Sequence, residues 1–210
     1  MAALLHQSLL WLSLGLFFIY VGMEGSTGQW TFSLFTLGRD TPAALAGALV
    51  SVYWASLTLG RVLFGALVPR IGSVRLLRGC MLTCVLAAAL LWANLPVISW
   101  LSVAVLGLAF APIFPVLIAE TPGRLGHTQA ANAIGLQVAA AVAGGAALPG
   151  LLGVLSVRLS LEVLGPALMI LGIVQFSLHE ALTRRSARRA RRGELSAFAR
   201  DDEVRDPESP

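Results

Sequence analysis

The chain has 210 residues, of which 57% are hydrophobic and 12% are charged, about half the charged fraction of an ordinary soluble domain. Together with a mean hydropathy of +0.80, this composition excludes a typical soluble enzyme domain. All fifteen basic residues are arginine. They do not form the basic face interleaved with aromatic residues that a nucleic-acid partner would need.

The apolar residues occur in long runs. A helical span needs about 20 mostly apolar residues to cross a hydrocarbon core about 30 Å thick, and six such runs are present. Strands are disfavoured because a membrane barrel is built from shorter, alternating segments. We therefore predict an all-α membrane protein whose residues 1–182 form a six-transmembrane-helix bundle. The predicted helices cover residues 9–30, 43–68, 76–95, 97–119, 128–154 and 161–182.

The links between these runs are short, so successive helices are expected to be antiparallel neighbours. The first run has no basic segment before it and no cleavage site after it, which favours a retained span over a removed signal peptide. Arginine is concentrated in alternate links and in the tail, and cytoplasmic loops carry such an excess. This predicts a protein of the plasma (bacterial inner) membrane with both termini in the cytoplasm. On that side lie Arg70, Arg75, Arg78, Arg124 and the tail, and on the other lie Arg39 and Arg158.

Residues 183–210 form a separate tail. It begins with the polybasic stretch RRSARRARR at 184–192, which either binds anionic lipid head groups or only anchors the last span according to the charge bias. Residues 194–210 are acidic and poor in apolar side chains, so we predict disorder there.

Polar, glycine and proline residues inside the spans are concentrated in helices 1, 2, 4 and 5. Polar groups at this depth must face protein or water, so these four helices are predicted to line a cavity while helices 3 and 6 face outward. Glu24 is the only acid deep in a span, and Tyr20 shares its helical face. Two interpretations stay open for Glu24: a substrate or proton site, or a hydrogen bond to a neighbouring helix that the nearby glycines allow to approach.

Arg61 is the only base deep in a span. Counted from the predicted midpoints, it lies roughly 7 Å towards the cytoplasm, and Glu24 roughly 6 Å in the opposite direction. A direct pair is therefore not expected, and Arg61 is predicted to extend towards Glu120.

Further polar and aromatic residues of these helices are candidate contacts for a solute. Asn132 and Gln137 serve either as packing hydrogen bonds or as solute contacts. Trp30 can stack on a sugar ring or belong to an interfacial aromatic belt. The remaining candidates on these helices are Tyr20, Gln29 and Tyr53.

No enzyme, metal or cofactor is predicted. A membrane enzyme would need a nucleophile with its base, a metal cluster or a phosphate loop, and none is recognisable. Cys80 and Cys84 share a helix face but lack further ligands, so they are interpreted as packing residues. The histidines His6, His127 and His179 fall at or beyond the predicted span ends, which makes a proton relay through them unfavourable.

Three stretches together resemble a known family: YVGMEGSTGQW (20–30), YWASLTLGRVLFGALVPRIG (53–72), and FAPIFPVLIAETPGRLG (110–126) followed by ANAIGLQVAAAVAGGAALPGLLG (131–153). They resemble helices of the C-terminal half of fucose-permease-like transporters of the major facilitator superfamily. The family's cytoplasmic motif Gly-x-x-x-Asp-Arg-x-Gly is matched by Gly65, Arg70 and Gly72, with Pro69 at the aspartate position. Arg61 and Glu120, expected to meet at the inner end of helix 4, are grouped with these motif residues as candidates for a cytoplasmic gate.

The resemblance implies a function. Such transporters consist of two six-helix halves around a midplane site, and this chain supplies one half. It implies part of a secondary active transporter that moves a small polar solute such as a sugar, with ion or proton coupling. Its expected partners are that solute, membrane lipids and a second half, either a separate chain or another copy. The alternative is a non-transporting membrane subunit or a remnant of such a transporter.

Overall fold

The computed structural model describes Leu4 and residues 7–205, with side-chain environments up to Arg191. Within this part of the chain every regular element is helical. Six helical segments are long and apolar enough to cross a membrane. The prediction of an all-α protein with six candidate spans is therefore confirmed.

The helices follow the predicted order. The first span is α1, Ser8–Ser33, continued by the π-helical turn Leu34–Gly38. The later elements are α2 Ala43–Ile71, α3 Ser73–Trp92, α4 Pro96–Phe110, α5 Ile113–Ala119, α6 Thr121–Leu125, α7 Ala130–Arg158 and α8 Leu164–Arg205. Together, α4 and α5 make the fourth span.

The fourth span is interrupted where α4 meets α5. The Ala111 N–H bonds back to Leu108 in a tightened turn, and Pro112 follows it at the start of α5. Proline has no N–H to donate and its ring clashes with the carbonyl four residues earlier. Pro112 and Pro115 therefore break the helix beside the first span.

Two glycines end helices at the same end of the bundle. Gly72 has φ 85° after α2, and Gly126 has φ 94° after α6. This left-handed conformation strongly favours glycine. The predicted link 120–126 is not irregular throughout, because Pro122 sits in the first turn of the short helix α6, where a missing N–H has no cost.

The first span lies at the centre of the bundle. It packs along α7 and α8, and more briefly along α2; α2 packs on α4, and α3 lies between α4 and α8. The α1–α7 contact is close: a Cβ at Gly144 would lie 2.0 Å from the Phe18 carbonyl oxygen. Glycine at this position lets two backbones touch, as at other close helix contacts in membranes.

The two ends of the bundle differ in charge. We call the end that carries Arg70, Arg75, Arg78, Arg124 and Arg184 the arginine-rich end. At the opposite end, Arg39 makes two 2.7 Å hydrogen bonds to Glu162 and donates to the Leu91 carbonyl at 2.8 Å. This joins the turn after α1 to the ends of α3 and α8.

The last helix is longer than predicted. It was expected to end at residue 182, but it continues through the polybasic stretch 184–192 and is described to Arg205. The disorder expected for residues 194–210 stays a prediction, and residues 206–210 lie outside the described part. Arg, Ala, Leu and Glu are good helix formers. Extending an existing helix also avoids the cost of nucleation.

Candidate functional site

A cavity of about 410 Å³ opens beside the middle of the first span. Three spans form its wall. The charged residues are on α1 and α2, and the apolar ones are Val21 of α1 and two residues of the proline-interrupted fourth span. The lining residues are Tyr20, Val21, Glu24, Arg61, Phe114 and Pro115. The first, second and fourth spans thus line the cavity as predicted. The fifth span, α7, was also expected to line it, but contributes no lining residue among the described residues.

Glu24 is held by two tyrosines. The hydroxyl of Tyr20, one helical turn earlier, donates to the Glu24 carboxylate and also lies 3.1 Å from the Phe110 carbonyl. Tyr53 of α2 donates to the Glu24 backbone carbonyl at 2.8 Å. Both tyrosines are fully buried. They therefore fix the position of Glu24 from the buried side, and its carboxylate oxygen Oε1 remains directed towards the cavity.

That oxygen faces a positive charge. Arg61 Nη2 lies 3.6 Å from Glu24 Oε1, with the arginine side chain 51% exposed and the glutamate 15% exposed. The two residues do pair, so the prediction that they lie too far apart was wrong. The π-helical turn lengthens the first span to 31 residues, which moves its midpoint to within about 1.5 Å of Glu24. The long arginine side chain bridges the remaining distance.

Glu120 is therefore not the partner of Arg61. It lies 3.6 Å from Arg124 in the next helical turn. Burial lowers the pKa of the Arg124 guanidinium, and the charge of Glu120 opposes that shift. The prediction of an Arg61–Glu120 contact fails because Arg124, in the short helix α6, lies nearer to Glu120 in the chain.

The predicted gate residues lie around two further hollows towards the arginine-rich end. Arg61 and Gly65 line one of about 260 Å³ between α2 and α5. Arg70, Gly72 and Glu120 line a second, of about 480 Å³, at the turn between α2 and α3. Arg61 belongs to both the charged cavity and the first hollow, so it connects the two.

Gln137 occupies a different environment from the cavity. Its amide donates to Ser13 at 2.6 Å and accepts from Thr121 at 3.0 Å. Only 1% of its surface is exposed. These bonds join α1, α6 and α7 and satisfy the side chain, which favours the packing alternative over solute contact. Asn132, five residues earlier on α7, is exposed.

The remaining candidates lie towards the opposite end. Trp30 donates its indole N–H to the Pro149 carbonyl at 3.0 Å, and its ring lies against Gly153. Gln29 is exposed beside it. The structure therefore brings together Tyr20, Glu24, Tyr53 and Arg61, and it leaves Gln29, Trp30, Asn132 and Gln137 outside this group.

One further polar residue is placed in the interior. His179 was expected at or beyond the end of a span, and the structure shows it fully buried within the continuous helix α8. Gln175, one turn before it, is equally buried. Cys80 and Cys84 are free and buried, as packing residues would be. Among the described residues, no group of His, Cys, Asp and Glu could hold a metal ion.

The six apolar helices define the class of this protein, an integral membrane protein of the helical type. The chain matches no protein-family model, and comparison with curated proteins finds no significantly similar sequence. Any more specific function must therefore be argued from the charged cavity.

Proposed function

We propose that the chain is one half of a secondary active transporter for a small polar solute, coupled to a proton or another ion. The observation that carries this proposal is the Glu24–Arg61 pair in a cavity at mid-span. Ionisable residues are costly inside a membrane and are retained there mainly for function. A pair that packed only for structure would be expected to satisfy its hydrogen-bonding groups within the bundle.

The pair has hydrogen-bonding capacity to spare. An arginine has five N–H donors, and the Arg61 side chain is half exposed while facing Glu24 at 3.6 Å. Hydroxyl groups of a solute can accept from the guanidinium and donate to the carboxylate at the same time. Phe114 and Pro115 add apolar surface on which the carbon face of a sugar can rest.

The bundle leaves this cavity open on one side. Within an 18-residue apolar stretch of each span, 44–61% of the residues are buried in the first, third and fourth spans, against 28%, 22% and 28% in the second, fifth and sixth. Of these three more exposed spans, the second lines the cavity. Transporters of this architecture place the solute between two repeats. A second six-helix half, from another chain or another copy, would cover α2 and α7 and close the site.

Reconstitution at controlled density tests the need for a second half. Uptake of radiolabelled monosaccharides would be measured in liposomes, with chains per vesicle counted by single-molecule photobleaching. We expect no uptake from vesicles with one chain. Uptake that appears only in vesicles with two chains would indicate a homodimer, whereas silence at every density would require a separate partner half. Robust uptake by single chains would contradict the proposal.

The proposed function also depends on how the bundle is oriented in the membrane. We propose that the arginine-rich end faces the cytoplasm of a bacterial inner membrane, since positively charged loops stay inside, and that residues 184–192 contact anionic lipid. Single cysteines at Ser73 and Ser186 should then react only from the cytoplasmic side, and one at Thr41 only from outside. Labelling of Thr41 from the cytoplasm would contradict this orientation.

A further inference from the structure

The buried face of α8 changes character along its length. Towards the opposite end it carries Leu164, Leu168 and Gly172, all buried. Towards the arginine-rich end the same face carries Gln175, His179 and Thr183, spaced four residues apart. Five polar atoms of these three side chains are buried and lack a hydrogen-bond partner in the described structure: Gln175 Nε2 and Oε1, both His179 ring nitrogens, and Thr183 Oγ1. We call these three residues the polar stripe.

The polar stripe lies in the interior of the bundle, between α1 and α3. A Cβ at Gly172 would meet Val85 of α3 and Met23 of α1, and a Cβ at Gly15 of α1 would meet Leu178. Nearer the arginine-rich end, Arg78 of α3 makes two hydrogen bonds to Glu180. Lipid therefore does not reach the stripe.

Leaving the polar stripe without hydrogen-bond partners would cost a large free energy. Buried polar groups in proteins are nearly always satisfied by protein or by ordered water. Five orphaned atoms would together cost a free energy comparable to the net stability of a whole domain. A partner that the side chains do not supply must therefore come from the solvent.

The spacing fits water. Each step of four residues along a helix rises about 6 Å, roughly twice the length of one hydrogen bond. One water between successive side chains can therefore bond to both. Glu180 Oε1 does not replace such a water, because it lies 3.8 Å from His179 Nδ1 and already accepts from Arg78.

The charges around the stripe argue against an ion as its occupant. The polar stripe has no carboxylate or guanidinium of its own. The charged groups nearest His179 are Arg78, Glu180, Arg124 and Glu120, and these form two ion pairs among themselves. Neither a cation nor an anion finds an unpaired opposite charge, whereas water needs none.

We propose that the arginine-rich half of α8 binds a short file of water molecules along Gln175, His179 and Thr183, which gives protons from the aqueous phase access to the His179 imidazole. Thr183 is the point of entry, since it is the one residue of the stripe that is only partly buried, whereas Gln175 and His179 are fully buried. This hydration site is separate from the Glu24 cavity and does not depend on the transport proposal.

Hydroxyl-radical footprinting of the full chain in proteoliposomes tests the proposal. Millisecond radiolysis produces radicals from bound water, and mass spectrometry locates the oxidised residues. We expect His179 to be oxidised at a rate within about fivefold of the exposed His127, because ordered internal water lies against it. Phe17 is fully buried against Phe114 and should stay at background. A His179 rate equal to that of Phe17 would overturn the proposal.

Two further measurements separate bound water from other causes. The double variant Gln175→Leu with Thr183→Val should lower His179 oxidation towards the Phe17 rate, while Ser177→Ala, on the exposed face of α8, should leave it unchanged. Oxidation of His179 together with the buried Leu182 would indicate opening of the helix and would also overturn the proposal. An unchanged rate of His179 oxidation in a folded double variant would also overturn the proposal. If the double variant does not fold, the comparison of His179 with His127 and Phe17 in the wild-type protein decides whether water is bound.

Discussion

Two polar clusters lie on the first span, and they are built on different plans. At mid-span, Glu24 and Arg61 face a cavity of about 410 Å³, and the arginine is half exposed. Eleven residues earlier, Ser13 belongs to the network of Gln137 and Thr121, which is buried and hydrogen-bonded within the bundle. The first cluster has hydrogen-bonding groups available for a ligand, whereas the side-chain groups of the second are hydrogen-bonded within the cluster.

The contrast shows why residue type alone does not identify a site in a membrane helix. Glu24 and Gln137 were both plausible solute contacts from their positions in the sequence. Their difference lies in what surrounds them, because Gln137 meets two hydroxyls from neighbouring helices while Glu24 meets a cation at an open surface. Substitutions in the two clusters should therefore separate function from stability.

The largest effect is expected from Glu24→Gln in the assembled transporter. If Glu24 carries the coupled proton, uphill uptake of a transported monosaccharide should fall by about two orders of magnitude, the scale for removing a positioned proton-transfer group. Counterflow exchange should persist because the amide keeps the shape and hydrogen bonding of the side chain. The free energy of unfolding should change by no more than about 1 kcal/mol.

The control for this variant is Asp40→Asn, the same chemical change at an exposed turn, which should leave both assays unchanged. If uptake and counterflow both fall, Glu24 contacts the solute without carrying the proton. If both persist at matched expression, Glu24 is structural, and the proposed role of the cavity is wrong.

The fold was predictable because it follows from long apolar runs, and these need no tertiary information. The Glu24–Arg61 pair was not, because its expected separation was counted from a first span ending at residue 30, whereas the helix continues through the π-helical turn Leu34–Gly38, which has no clear pattern in the sequence. The burial of His179 was not predictable either, since it depends on how α8 packs against its neighbours, and the continuation of this helix beyond residue 182 was not expected. Helix ends are where sequence patterns are weakest.

An intermediate effect, on stability and not on transport, is expected from Gln137→Leu. Leucine is close in size but removes the hydrogen-bond partner of the buried Ser13, while Thr121 keeps only its bond to the Leu117 carbonyl. The loss of a buried hydrogen-bond partner costs about 1–3 kcal/mol, so the thermal midpoint in detergent should fall. At matched amounts of folded protein, transport should be unchanged. A stable variant with lost transport would move Gln137 into the solute site and remove the contrast between the clusters.

The smallest effect is expected from Asn132→Ala, which tests whether the open face extends along α7. Asn132 is exposed, so its removal should alter the free energy of unfolding by less than about 0.5 kcal/mol. If it contacts the solute through one neutral hydrogen bond, the KM should rise by roughly two- to tenfold, since such a bond contributes about 0.5–1.5 kcal/mol, while the maximal rate stays the same. Asn132→Asp, which keeps the acceptor but adds a charge, should affect the KM differently for a neutral and a cationic solute. An unchanged KM in both variants would restrict the proposed site to the Glu24–Arg61 cavity and exclude this part of the fifth span from it.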